Sequence, residues 1–176
     1  MQEIEPGRDF EGGDRWHLRR FVEAQDEVVD GAATVGGRPT TVIDLALREL
    51  EAGAKRTHWM WFVFPQFPLG MSETARFYAL SGADEACAYL AHPVLGGRLR
   101  ASFEVVARQL DARAANPEEL FGSHVDCLKF ASSATLFELV ADRVGDVSLA
   151  ATVRCALEQM TRRGFRRCAH TVALWR

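Results

Sequence analysis

Much of what would normally name a function is missing from these 176 residues. There are four Cys, at 87, 127, 155 and 168, with no C-x-x-C pair and no His at ligand spacing. That excludes the common structural zinc patterns and leaves no metal to be expected. No apolar run approaches the roughly 20 residues of a membrane span. Positive charge is in deficit, with a formal net charge of -3, which argues against sequence-independent nucleic-acid binding. The Arg162, Arg163, Arg166 and Arg167 cluster fits cations serving a helix C-terminus. No signal segment opens the chain: Met1 to Asp14 is acidic and Gly-rich, so a cytoplasmic protein with free thiols is expected. Strand-like alternation is also absent over any useful length, Phe62-Val63-Phe64 being the one β-prone spot.

What the sequence does contain is helical periodicity and one dense aromatic stretch. Hydrophobic residues make up 48% and charged residues 26%, the balance of a globular chain with a real core. The spacing predicts an all-α single domain of about seven or eight helices over 14–176, behind a flexible lead-in at 1–13. Asp14 is placed to cap a first helix whose stripe includes the amide Gln25, and Thr40 or Thr41 a second helix ending at Gly53. Leu95, Leu99, Phe103, Val106 and Leu110 form the cleanest stripe. Gly96-Gly97 in its first turns implies a close backbone approach to another element or to a ligand. Ser123-x-x-Asp126 resembles a capping box and opens a helix with Val125, Leu128, Leu136, Leu139 and Val140 inward, flanked by Lys129, Ser132 and Ser133. The tail is expected to form one or two turns anchored by Val172, Leu174 and Trp175. Gly31–Pro39 has Gly31 and Gly36 at Walker-like separation, but no Gly-Lys-Ser/Thr follows and a helix precedes it, so it reads as a plain loop.

The stretch Lys55–Gln66, K-R-T-H-W-M-W-F-V-F-P-Q, organises the rest. Its density demands burial, while its polar ends suit the wall of a small-molecule site. Lys55, His58, Gln66, Tyr78, His92, Arg98, Lys129, Ser132 and Thr135 supply cations and donors, and Trp59 and Trp61 supply flat faces. Such a set fits an anionic ligand carrying a ring, a nucleotide above all. Lys55, His58 and His92 are the candidates for chemistry. Glu49, Glu73, Asp84, Glu85 and Asp126 are the carboxylates a glycosidase could use, and none of them stands out. Each residue also has a structural reading: solvated cations, a core His58, His92 as a cap before Pro93, indoles in the core. The alternative function is a non-enzymatic interaction module or dimerising domain using the Trp59–Phe64 block. The residues leave oligomeric state and reaction open.

Four blocks carry a resemblance: 47–66, 72–80, 84–99 (D-E-A-C-A-Y-L-A-H-P-V-L-G-G-R-L) and 120–137 (L-F-G-S-H-V-D-C-L-K-F-A-S-S-A-T-L-F). In them the chain resembles the bacterial family catalogued as domain of unknown function 1810, some members of which carry a calpastatin label. The resemblance implies a mainly helical fold and no established activity. Against that pattern Gly31–Pro39 looks like an insertion, Arg56-Thr57-His58 is a mild change, and Cys168 or Ala169 stands where the family tends to have an Asp. A weaker likeness, in Leu95–Arg98 and Lys129–Leu136, is to NADAR-type N-glycosidases, which implies hydrolysis of an N-glycosidic bond.

Overall fold

The structure, a computed structural model, describes residues 14–34 and 36–175, so the expected lead-in at 1–13 lies outside the described residues. Six longer helices are α1 (Arg19–Asp26), α2 (Val42–Glu51), α5 (Ala83–Ala91), α6 (Leu95–Asp111), α8 (His124–Val144) and α9 (Val147–Arg162). Four short ones lie between and after them: α3 (Met60–Val63), α4 (Glu73–Phe77), α7 (Pro117–Phe121) and α10 (Ala169–Leu174). Among the described residues no strand forms, and the isolated bridge Val28–Thr41 closes the 31–39 loop at its base. The all-α fold is therefore as expected. The helix without a sequence signal is α3, four residues long, too short for periodicity to register and held by tertiary contacts.

Local chemistry sets most helix ends. The Asp14 carboxylate accepts the N–H groups of Leu18 (2.6 Å) and Arg19 (2.9 Å) ahead of α1. Asp44 reaches back to Thr41 N–H (3.0 Å) and Oγ1 (2.8 Å) at the start of α2. Ser123 Oγ accepts Asp126 N–H at 3.1 Å to start α8, and the left-handed Gly145 (φ 73°) ends it.

α6, α8 and α9 pack together, with α2 on α6, α5 between α6 and α8, and α7 and α10 against α8. Leu95, Leu99, Phe103, Val106 and Leu110 are all buried, as their spacing predicts. Phe64 from the segment after α3 enters this core, its ring 5.2 Å from Phe103 and 5.1 Å from Phe130. Side chains of this size contribute roughly 1.5–3 kcal/mol each on full burial.

Two expectations need correction. On α8, Val125 and Leu128 are exposed, while Cys127, Phe130, Ala131, Ala134, Phe137 and Ala141 are buried. This helix is covered from several sides, so no single stripe distinguishes its inner face. In the tail, Val172 and Leu174 are about half exposed; the anchors are the fully buried Thr171 and the half-buried Trp175, whose indole stacks on Phe67.

Candidate functional site

Glu49, in the last turns of α2, shapes the segment that follows it. Its buried carboxylate accepts Arg56 N–H (2.9 Å), Thr57 N–H (3.1 Å), Thr57 Oγ1–H (3.0 Å) and Trp59 Nε1–H (2.8 Å). Burial opposes its ionisation, yet these donors outweigh it and hold the carboxyl below its ordinary range. Lys55 N–H donates to Leu120 O at 2.9 Å. Gly122 (φ 77°) admits that approach, since a Cβ there would lie 3.0 Å from the Lys55 carbonyl oxygen.

This turn sends Lys55 inward towards α8. Lys55 Nζ donates to Asp126 Oδ2 at 2.6 Å, and Lys129 Nζ donates to Asp126 Oδ1 at 2.7 Å. Behind each ammonium lies an indole: Lys55 Nζ is 5.4 Å from the Trp59 ring centroid and Lys129 Nζ 4.0 Å from that of Trp61. The result is a linear array, Trp59–Lys55–Asp126–Lys129–Trp61, with one carboxylate between two cations and each cation against a π face. Burial alone would raise the Asp126 pKa, but the Lys129 and Lys55 ammoniums dominate and hold it low. The array has a closed end and an open end. Trp59 is fully buried and the Lys55 side chain 7% exposed, whereas Trp61 is half-buried and the Lys129 side chain 16% exposed.

Of the residues expected to form one ligand site, the structure brings together Lys55, Trp59, Trp61 and Lys129. The hydroxyls of α8 are engaged in internal hydrogen bonds. Ser132 Oγ pairs with Thr171 Oγ1 (2.9 Å), Ser133 donates to Pro65 O (2.7 Å), and Thr135 bonds Ala131 O while accepting Cys168 N–H (3.0 Å). Gln66 sits just after that Pro65 contact, 4% exposed, and its Oε1 has no hydrogen-bond partner among the described residues. His58 is exposed. His92 is the cap of α6: its Nδ1 accepts Val94 N–H (3.2 Å) and Leu95 N–H (3.3 Å), and burial lowers its pKa. Arg98 belongs to another face, pairing with Asp26 (2.5 Å) and Gln25 (3.3 Å). Tyr78 lies there too, packed on Phe21, Phe62 and Phe77. The set divides because Trp61 faces α8 while Phe62, one residue on, faces α1, where its carbonyl accepts Gln25 Nε2–H at 2.8 Å. His92, Arg98 and Tyr78 are thus removed from the Lys55–Lys129 site.

Trp59, Met60, Val63 and Phe64 are buried within the core, leaving only the half-buried Trp61 and Phe62. Open clefts occur elsewhere. One of about 490 Å³ is lined by Asn116, Glu118, His124, Arg163 and Phe165, and one of about 610 Å³ by Trp16, Ser81, Asp84, Arg143 and Trp175.

Three residues have surroundings that the sequence did not single out. Glu49 and Asp126 were two acids among several; the visible signals were Asp126-x-x-Lys129 at one-turn spacing and an acid ten residues before an indole. Cys168 stands at the N-cap of α10 without a capping hydrogen bond from its thiol. Burial pushes its pKa up, but the facing Thr171 and Ser132 hydroxyls and the Thr171 and His170 N–H groups bring it below the ordinary thiol range.

Residues 15–162 match the model of the family described as Protein of unknown function (DUF1810). The chain belongs to this family. The crystal structure of the conserved hypothetical protein Rv1873 from Mycobacterium tuberculosis is similar at 37% identity, with a TM-score of 0.72 over 92% of this chain and 98% of that one. No curated protein matches the chain. The DUF1810 match runs through α9 and so spans every residue of the array.

Proposed function

We propose that the Lys129–Trp61 end of the array binds an anionic small molecule carrying a ring, of nucleotide type. The observation that supports this is the polarity of the array: the same cation–indole unit occurs twice, sealed at Lys55–Trp59 and open at Lys129–Trp61. An ammonium has three donors, and Asp126 takes one from Lys129. A phosphate or carboxylate at the open end gains charge-assisted bonds where partial burial lowers the dielectric. The part of the Trp61 indole not covered by Lys129 offers the ring an apolar surface.

Asp126 sets the chemistry such a site would suit. An ionised carboxylate stabilises or attacks an electron-poor anomeric carbon, and its low pKa makes it a poor general acid. The reaction proposed for a nucleoside-derived ligand is hydrolysis of its N-glycosidic bond: water adds at the anomeric carbon, the C–N bond breaks, and the base leaves with a proton from that water, Asp126 stabilising the developing positive charge.

A thermal-shift panel of nucleotides, ADP-ribose, sugar phosphates and acyl carriers tests the reading, with product analysis of any ligand that binds. A ligand at a hundred times its Kd stabilises by ~2.7 kcal/mol. The expected result is a shift in wild type that Lys129→Met and Trp61→Ala abolish. A panel without shifts, or equal shifts in both variants, overturns the proposal.

A further inference from the structure

The start of α6 depends on one titratable side chain, away from the array. Pro93 has no N–H, so the first donors of the helix are those of Val94, Leu95 and Gly96. His92 accepts all three. Its Nδ1 takes Val94 N–H at 3.2 Å and Leu95 N–H at 3.3 Å, and its carbonyl takes Gly96 N–H at 3.0 Å. The same residue closes α5, donating its own N–H to Tyr89 O at 3.2 Å. The corner between the two helices has no slack, because Gly96 passes the Leu90 carbonyl too closely to admit a Cβ. The turn that follows carries Arg98, which ties α6 to Gln25 and Asp26 of α1.

An Asn or Ser cap accepts at any ordinary pH, whereas an imidazole nitrogen accepts only while it carries no proton. The geometry therefore demands the neutral ring with its hydrogen on Nε2. Protonation would put a hydrogen on Nδ1, facing two N–H groups, and both bonds would be lost together. We infer that His92 is an acid-sensitive latch: neutral, it caps α6 and joins it to α5; protonated, it releases the first turn of α6. One cap is small beside the stability of a whole domain, so the opening is local. The charged groups that face the ring, among the described residues, are Asp14 ahead of α1, which favours the cation, and Arg98 on α6, which opposes it. The positive end of the α6 dipole opposes it as well. Burial of the half-exposed ring is the largest influence, and His92 lies below the ordinary imidazole range. The cap's contribution is thus fully present above the unfolded value of about 6.5 and is lost as pH falls through the lower native value.

An NMR titration of the full chain from pH 8 to pH 5 tests this, reading the His92 ring together with the Val94 and Leu95 amides. The expected result is one shared midpoint below about 6.5 for the ring and both amides. Across it, amide exchange protection, corrected for the intrinsic effect of pH, should fall on the order of fivefold, the factor that one helix cap supplies. His92→Asn retains an acceptor that does not titrate, so its two amides should stay protected throughout. His92→Ala should leave them poorly protected at every pH. A His92 ring that titrates while the Val94 and Leu95 amides of wild type stay unmoved overturns the inference. So does a ring midpoint at or above the ordinary value, or an equal loss of protection in His92→Asn. The wild-type titration decides the matter even if neither variant folds.

Discussion

At the residue scale, two carboxylates hold the site in place. Four neutral donors converge on Glu49, and among the described residues no cation joins them. Glu49→Ala strands these buried groups, and a loss of at least about 3 kcal/mol is expected in urea unfolding. Asp126→Asn leaves two ammoniums with no full negative charge between them and should cost about 3 kcal/mol. Both native pKa values are lowered. Each carboxylate's stabilisation is therefore fully present above its unfolded value of about 4 and is lost as pH falls through its lower native value. The gap between wild type and each variant should be widest near neutrality and close in acid; a gap constant with pH would contradict this. Among the thiols, Cys168 should alkylate with iodoacetamide well before Cys127, which is fully buried and pushed up to about 12. Peptide mapping after timed labelling checks the order.

At the element scale, the adjacent glycines of α6 do opposite things. A Cβ on Gly96 would lie 2.1 Å from the Leu90 carbonyl oxygen, whereas one on Gly97 would meet nothing within 4 Å. Gly96→Ala should cost several kcal/mol, on the order of a severe core overpacking. Gly97→Ala should stabilise by about 0.5–1 kcal/mol through helix propensity. Thermal unfolding of the two variants separates them, and equal effects would refute the close approach. The sequence signalled that approach but could not say which glycine makes it or to what, because the partner is backbone of the preceding helix. Amphipathic α6 and the capped starts of α2 and α8 were legible for the same reason: their signals are local. The inner face of α8 and the one-turn α3 were not, since one is buried from several sides and the other is imposed by packing.

At the scale of the whole molecule, the structure brings some of the expected residues together and leaves others apart. Lys55, Trp59, Trp61 and Lys129 meet because Glu49 and Gly122 bend the chain towards α8, and contacts between residues some seventy positions apart leave no periodic trace. Tyr78, His92 and Arg98 share the same matching blocks but serve the opposite face or a helix cap. Membership of DUF1810 and the 37% identical mycobacterial structure agree with the fold and are silent on the ligand. The array is what sets this fold apart from a bundle held by its core alone. A buried ion network is weak evidence for stability, and the proposed ligand would give its more exposed end a second role. That account rests on one measurement: titration of the nucleotide giving the largest thermal shift into wild type, Lys129→Met and Trp61→Ala. Saturable binding in wild type, weakened at least about tenfold in both variants while their unfolding midpoints stay within a few degrees, is the predicted result. Binding of equal strength in all three proteins, or none in wild type, would contradict it.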